Sequence, residues 1–254
     1  MHDDIGRKWP LEHYGVVARH LGQFNGAYLT GEPMPTYPWL SRDGIRKHVE
    51  SSAPAIEQTR RSLDRPLVLR WLAHGVGEEL FRTWEERHRW LDLLDRLPQT
   101  LCQYDAFRRN LFARRLDGDV FETVIIDWSY AGYGAIGTEL MAPVVGTVAF
   151  FEVPLTQARE LEQLVLEGYI QGLRDVGWHG DPRLAELGYY ASGIRYGLGS
   201  VGEILPFMIE DPPPVDIQAV YGCTIEELLD YWNAMWEAFA LMDKTQRLVE
   251  ELGV

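Results

Sequence analysis

Apolar side chains recur every three or four residues along most of the chain, the spacing that predicts amphipathic helices. The first apolar stripe, in residues 12–29, consists of Tyr14, Val17, Ala18, Leu21 and Tyr28. A stronger stripe in residues 77–97 runs up to Pro98, which should end that helix. Shorter or weaker patterns predict further helices over 43–63, 157–176 and 183–209.

The last helix is predicted from Ile225 to Leu252, and its start carries a polar signal. Thr224 and Glu227 have the spacing of a capping box, in which each side chain bonds the backbone N–H of the other residue. The proline-rich segment EDPPPVD before it predicts a stiff connector. The segment TGEPMPTYPWLSRDG, after the first helix, predicts an ordered loop.

One stretch in the middle of the chain departs from the helical pattern. TLCQYD has β-type composition, and residues 111–116 and 120–126 predict the two strands of a hairpin. The turn between them, Asp117-Gly118-Asp119, is a strong hairpin signal. The sequence therefore predicts a mainly α protein, α+β in class, with one small β hairpin near its middle.

Three polar residues mark this β element. Asp105 follows the first β-type stretch, Asn110 opens the hairpin, and Asp127 ends its returning strand. Because a hairpin brings its two far ends together, Asn110 and Asp127 should be neighbours, with Asp105 within reach of the same space. Two such oxygen ligands suit Mg²⁺, and a separate carboxylate can orient a hydroxyl and accept its proton. The alternative is that all three are ordinary turn and cap residues.

The order of these residues resembles the aminoglycoside phosphotransferase and choline kinase-like family, which has a protein-kinase-like fold. The family pattern H-x-D-x-x-x-x-N, followed by a hydrophobic strand and I-D-W, is similar to QYDAFRRN at 103–110 and to Ile126-Asp127-Trp128. The segments ARHLGQFNGAYL, PWLSR and SYAGYGAIGTEL also look like parts of a bacterial branch of the family. The resemblance covers most of the chain, which is expected to form a single domain over residues 1–254.

The resemblance implies a kinase that transfers the γ-phosphate of ATP or GTP to a hydroxyl group of a small molecule. It implies that Asp105 is the catalytic residue and that Asn110 and Asp127 hold Mg²⁺. It also implies that Gln103 and Arg109 support the catalytic loop. Gln103 stands where the family usually has His, and the change should be tolerated because Gln offers both a donor and an acceptor.

Two further departures from the family concern the rest of the chain. Glu139 stands where relatives often place Asp. The family's amino-terminal lobe, a sheet with a glycine-rich loop and a phosphate-pairing lysine, has no counterpart in the pattern of residues 1–98. We therefore expect the carboxy-terminal lobe alone, with an exposed apolar patch on the side that the other lobe would cover. A partner chain or self-association would then complete the site. The competing hypothesis is a lobe that binds a partner without catalysis.

Composition limits the classes of ligand and the cellular location that are expected. The formal net charge of −14 argues against nucleic acid, which is held by Lys and Arg, and is compatible with a cationic small substrate. No apolar run is long enough to span a membrane, and the first residues are too polar for a secretory signal. Cys102 and Cys223 form neither a metal motif nor a disulfide framework, so a cytoplasmic location is expected.

Three other motifs are expected to be structural. GLGSVG at 197–202 has the G-x-G-x-x-G spacing but follows no strand, so helix packing is favoured over phosphate binding. His13 and His20 lack the further ligands that a zinc site needs. Gly168 and Gly172 indicate a close approach between two helices.

Overall fold

A computed structural model of the protein describes residues 8–115 and 121–254. Six helices precede the first strand: α1 (Leu11–Thr30), α2 (Gly44–Glu50), α3 (Ala53–Arg61), α4 (Pro66–Trp71), α5 (Val76–Glu85) and α6 (Arg87–Arg96). Four strands follow: β1 (Gln99–Cys102), β2 (Leu111–Arg115), β3 (Phe121–Ile125) and β4 (Gly132–Ala135).

The rest of the chain is helical. A π-helix over Ala142–Gly146 continues into α7 (Thr147–Ala149). The remaining helices are α8 (Ala158–Asp175), α9 (Arg183–Ala191), α10 (Gly193–Gly199), α11 (Val201–Ile204), α12 (Pro206–Ile209), α13 (Ile217–Tyr221), α14 (Ile225–Phe239) and α15 (Leu241–Leu252). The prediction of a mainly helical protein with a small β element is confirmed.

The strands form two antiparallel pairs. In the predicted hairpin, β2 pairs with β3, and Leu111 lies opposite Ile125. The predicted turn residues 117–119 lie outside the described part of the chain. A second pair joins β1 to β4, with Leu101 opposite Tyr133. Sequence patterns missed β4 because its segment, GYGA, is half glycine and has little β propensity.

Glycines bring α1 and α8 into close contact. A Cβ atom at Gly172 would lie 1.9 Å from the backbone oxygen of Arg19, and one at Gly168 would lie 2.2 Å from that of Gly15. Any side chain at these two positions would push the helices apart. The prediction of close helix packing at Gly168 and Gly172 is confirmed.

The predicted stripe of α1 forms part of the main hydrophobic core. Tyr14, Val17, Ala18 and Leu21 are all buried. The predicted fifth member, Tyr28, is only partly buried and packs on a smaller cluster that contains Leu40, Leu101 and Ala131. Among the described helices, none has the length and apolarity that crossing a bilayer demands.

Several predicted helices are interrupted. The helix predicted over 77–97 is broken at Glu86. There the Arg87 guanidinium donates a hydrogen bond to the carbonyl oxygen of Trp84 (3.0 Å). The helix predicted over 225–252 begins with the expected capping box but is broken at Ala240, whose φ is +46°. On a straight helix, Phe239 and Leu241 would point to different sides, whereas this bend lets both side chains be buried.

Two other predicted helices also consist of shorter pieces, whereas the helix predicted over 157–176 is the single helix α8. Residues 43–63 form α2 and α3, and residues 183–209 form α9 to α12. The GLGSVG segment lies in α10 and α11, where a Cβ atom at Gly199 would meet His48 but one at Gly197 would meet no atom within 4 Å. His20 Nδ1 lies 2.7 Å from Thr123 Oγ1, so this histidine fastens α1 to the hairpin.

Candidate active site

The loop between β1 and β2 holds Asp105 and Asn110 against each other. The side-chain amide of Asn110 donates to the Asp105 carboxylate (Nδ2 to Oδ2, 2.6 Å) and to the Asp105 backbone oxygen (2.8 Å). Both residues are buried. The Asp105 carboxylate is therefore fixed in position by the residue that opens the hairpin.

Gln103 joins this loop to the far end of the hairpin. Its Oε1 accepts from the backbone N–H of Asp105 (2.7 Å), while its Nε2 donates to the backbone oxygens of Ile126 (3.0 Å) and Asp127 (2.5 Å). The amide thus uses its acceptor on one segment and its donor on the other. The geometry accounts for how glutamine supports this loop with one side chain that both donates and accepts.

Asp127 lies beyond β3 in a left-handed conformation with φ of +55°. Its carboxylate Oδ1 accepts from the hydroxyl of Ser129 (2.6 Å) and from the Ser129 backbone N–H (3.3 Å). These bonds hold the pKa of Asp127 below its usual value, so the carboxylate stays ionised. The side chain is exposed at the mouth of the site.

Glu139 anchors the start of the loop between β1 and β2. Its buried carboxylate accepts from the backbone N–H groups of Gln103 (2.8 Å) and Tyr104 (3.0 Å). Burial raises the pKa of Glu139, although the two backbone donors oppose that rise. Tyr104 is held at φ of +65°, so this carboxylate supports a strained turn directly before Asp105.

Arg195, on α10, holds the same turn from the other side. Its Nη1 donates to the backbone oxygen of Tyr104 (3.0 Å), and its guanidinium lies 4.9 Å from the centre of the Tyr104 ring. Sequence analysis missed this residue. It lies 91 positions from its partner, and no local motif marks it.

Arg109 contacts the candidate catalytic carboxylate from solvent. Its Nη2 lies 3.4 Å from Asp105 Oδ1, and its guanidinium stacks 4.6 Å from the ring centre of Phe107. Burial raises the pKa of Asp105, and the Asp127 charge raises it further. The nearby Arg109 charge and the Asn110 amide lower it, but the net shift is upward. A carboxylate with a raised pKa is a better proton acceptor than an ordinary aspartate.

The oxygen atoms at this mouth fit a hard divalent cation. Within the described residues, no hydrogen bond occupies Asn110 Oδ1 or Asp127 Oδ2. No group of three or more His, Cys, Asp or Glu side chains suited to a metal occurs in that part of the chain. An amide and a carboxylate suit Mg²⁺, which keeps several waters and binds phosphate oxygens.

The same residues lie in a segment with known relatives. The Phosphotransferase enzyme family (APH) matches residues 45–182, which is more than half of the chain. The chain belongs to this phosphotransferase family. Membership implies a kinase-like fold, and the mainly helical chain with small sheets agrees with it. A search of curated proteins gives no match. Arg195 lies after the matched segment, whereas Asp105, Asn110 and Asp127 lie within it.

Proposed function

We propose that the protein is a small-molecule kinase, which transfers the γ-phosphate of ATP or GTP to a hydroxyl group with the help of Mg²⁺. One observation carries the proposal: Gln103 bonds the backbone of Asp105 and of Asp127 at once. That link joins the residue suited to proton transfer to a residue suited to metal binding. Phosphoryl transfer depends mainly on such positioning.

Asp105 has the role of orienting the acceptor. Its carboxylate accepts a hydrogen bond from the substrate hydroxyl, and takes the proton as the hydroxyl oxygen bonds to the γ-phosphorus. The bond between the γ-phosphorus and the bridging oxygen of the nucleotide breaks, and ADP or GDP leaves. Asn110 holds the carboxylate throughout, since its amide donates to Oδ2.

Asn110 Oδ1 and Asp127 Oδ2 would hold Mg²⁺. When bound, the ion neutralises the charge of the nucleotide phosphates. Ser129 keeps the Asp127 carboxylate ionised and oriented at neutral pH.

The acceptor is proposed to be a small hydroxyl compound such as an aminoglycoside, a choline-like amine or a sugar, and the net charge of −14 favours the cationic ones. We propose a cytoplasmic location, where ATP and GTP are available. The free thiols of Cys102 and Cys223 support it.

The metal assignment is tested with Mn²⁺, which replaces Mg²⁺ and is followed by electron paramagnetic resonance in the presence of nucleotide. Asp127→Ala should weaken Mn²⁺–nucleotide binding about tenfold or more, because it removes one of two protein ligands. Asp64→Ala, which changes an exposed carboxylate elsewhere, should leave the affinity unchanged. Equal binding by the two variants would contradict the assignment.

A second candidate function is a lobe that works with a partner, and exposed aromatic side chains favour it. Tyr37 and Trp39 stack on each other, with ring centres 5.8 Å apart, and each is 61% exposed. Tyr130 is equally exposed, on the segment whose Ala131 backbone bonds Ser41. We propose that a partner chain, a nucleotide-binding lobe or a second copy covers this aromatic patch.

Light scattering over a range of concentrations tests the patch. The wild-type chain should self-associate as concentration rises, and the double variant Tyr37→Ser, Trp39→Ser should do so less. Val220→Ser, which removes an apolar side chain of similar exposure on α13, serves as the control. A wild-type chain that stays monomeric at all concentrations would count against self-association.

A further inference from the structure

A cavity of about 330 Å³ lies where α5, α10 and the junction of α14 and α15 meet. Its volume falls in the range of small-molecule sites. The side chains that give it its chemical character are Trp71, Glu79, Arg82, Trp236, Glu237 and Asp243.

This cavity is separate from the candidate active site. Its lining contains none of the residues Gln103, Asp105, Arg109, Asn110 and Asp127. On α10, Arg195 contacts the catalytic loop, whereas Gly197 lines the cavity. The lining from α10, α14 and α15 lies after residue 182, outside the segment that matches the family. A ligand in the cavity would therefore be distinct from the phosphoryl acceptor.

The charge of the lining is mostly negative. Glu79 faces it, together with the exposed carboxylates of Glu78, Glu237 and Asp243. The cation of the lining is Arg82, whose guanidinium is exposed and lies 4.0 Å from the Asp243 carboxylate. An exposed pair at that distance contributes little.

Glu79 lacks a direct partner for its carboxylate in the described part of the chain. It is half-buried, and within the described residues no hydrogen bond or ion pair reaches its carboxylate. Burial raises its pKa and the negative charge of Asp243 raises it further, while the Arg82 charge lowers it; the net shift is upward. A bound cation would relieve both the desolvation and the repulsion between the two carboxylates.

Two tryptophans complete the arrangement. Trp71 is buried and Trp236 is half-buried, and both line the cavity. Indole rings attract cations through their negative faces, and quaternary ammonium groups are commonly bound between aromatic walls and carboxylates. We propose that this cavity binds an organic ammonium ion, with Glu79 and Asp243 as counter-charges and Trp71 and Trp236 as walls.

Isothermal titration calorimetry with benzyltrimethylammonium tests the proposal. The cation should bind, whereas 3-phenylpropionate, an anion of similar size, should not. Glu79→Gln should weaken binding about tenfold, because a charged partner is lost. Glu85→Gln is the matched control: it lies on the same helix but pairs with Arg60 rather than lining the cavity, and its affinity should equal that of the wild type.

A second variant tests the location by volume rather than by charge. A Cβ atom at Gly197 meets no atom within 4 Å, so a side chain there enters open space. Gly197→Leu should therefore fold, with an unchanged thermal midpoint, and lose cation binding. Binding that survives in both Glu79→Gln and Gly197→Leu would overturn the proposal, as would a wild type that binds cation and anion alike.

Asp105→Asn separates this proposal from the proposed kinase function. The substitution should leave benzyltrimethylammonium binding unchanged, because Asp105 does not line the cavity. Loss of binding in Asp105→Asn would place the cation at the catalytic loop and overturn the cavity site. A chain that binds the cation but transfers no phosphate would retain the cavity site and reject the kinase function.

Discussion

Asp105 differs from Asp127 in how its carboxylate is held. The Asp105 carboxylate is buried, accepts a hydrogen bond from Asn110 and has a raised pKa, whereas that of Asp127 is exposed and has a lowered pKa. The folded state thus favours protonated Asp105. This favourable contribution to stability is present below the pKa of the unfolded chain and is lost as the pH rises through the higher folded pKa. The raised pKa therefore makes the Asp105 carboxylate more basic and lowers the free energy of unfolding somewhat at neutral pH.

Arg195 gives the sharpest prediction at this scale. The acid limb of the pH–rate profile should lie above the usual range of aspartate, because ionised Asp105 is required. Arg195 lowers the pKa of Asp105, so Arg195→Met should move the limb to still higher pH. It should also reduce kcat about tenfold, since the turn at Tyr104 loses its carbonyl bond.

Arg195→Lys is the control, because it keeps the charge and should keep the acid limb in place. A loss of kcat in Arg195→Met with an unmoved limb would mean that the residue is only structural. The measurement is kcat/KM from low to neutral pH for the three proteins.

Sequence reasoning identified the residues that a short hairpin brings together. Asp105 and Asn110 share one loop. The backbone N–H of Ile126, next to Asp127, donates to the Asn110 backbone oxygen (3.0 Å), so the hairpin brings its two far ends together as predicted. It could not identify Arg195, because α10 reaches the loop only through tertiary packing. The separation of 91 positions leaves no local pattern to detect.

At the scale of elements, the contact between α1 and α8 sets where the hairpin lies. His20 on α1 bonds Thr123 on β3, and the Asn25 amide donates to the backbone oxygen of Leu101 on β1 (2.7 Å). Two strands are therefore fastened to α1: β1, which precedes the loop that holds Asp105, and β3, the returning strand of the hairpin. The spacing of α1 from α8 depends on glycine at Gly168 and Gly172.

Gly172→Ala should destabilise the protein by about 1–3 kcal/mol, because the new methyl group meets a backbone oxygen that has no room to move. Gly197→Ala, which adds the same methyl to open space in α10, should be neutral or gain about 0.5–1 kcal/mol from helix propensity. Urea denaturation of the two variants measures the difference. Equal stabilities would show that the close approach of α1 and α8 is not needed.

The helix breaks show what periodicity leaves out. Apolar spacing predicted helix existence correctly on both sides of Glu86 and Ala240. The breaks themselves depend on an arginine that donates to a backbone carbonyl and on a bend that buries the apolar side chains on either side of it. Neither cause repeats at helical spacing, so the pattern of the chain contains no sign of it.

At the scale of the whole molecule, three surfaces surround the catalytic loop and its neighbours. The proposed metal-binding mouth at Asp127 lies next to the exposed Trp128 and Tyr130, on the side of the aromatic patch. The cavity lined by Trp71 and Trp236 touches α10 at Gly197, whereas Arg195 of the same helix contacts the loop that holds Asp105. We therefore propose that a nucleotide lies on the Asp127 side of the loop and that an ammonium ligand lies beyond α10, the helix that carries Arg195.

The central claim is that Asp105 accepts the proton of a hydroxyl during phosphoryl transfer. The most direct test follows ³²P from γ-labelled ATP or GTP into a panel of small hydroxyl compounds, with the wild type and Asp105→Asn. The claim predicts a labelled product with the wild type, and a kcat about 10²–10⁴-fold lower with the variant. Asp105→Asn should remain folded and be at least as stable at neutral pH. Transfer at the wild-type rate by folded Asp105→Asn would contradict the claim.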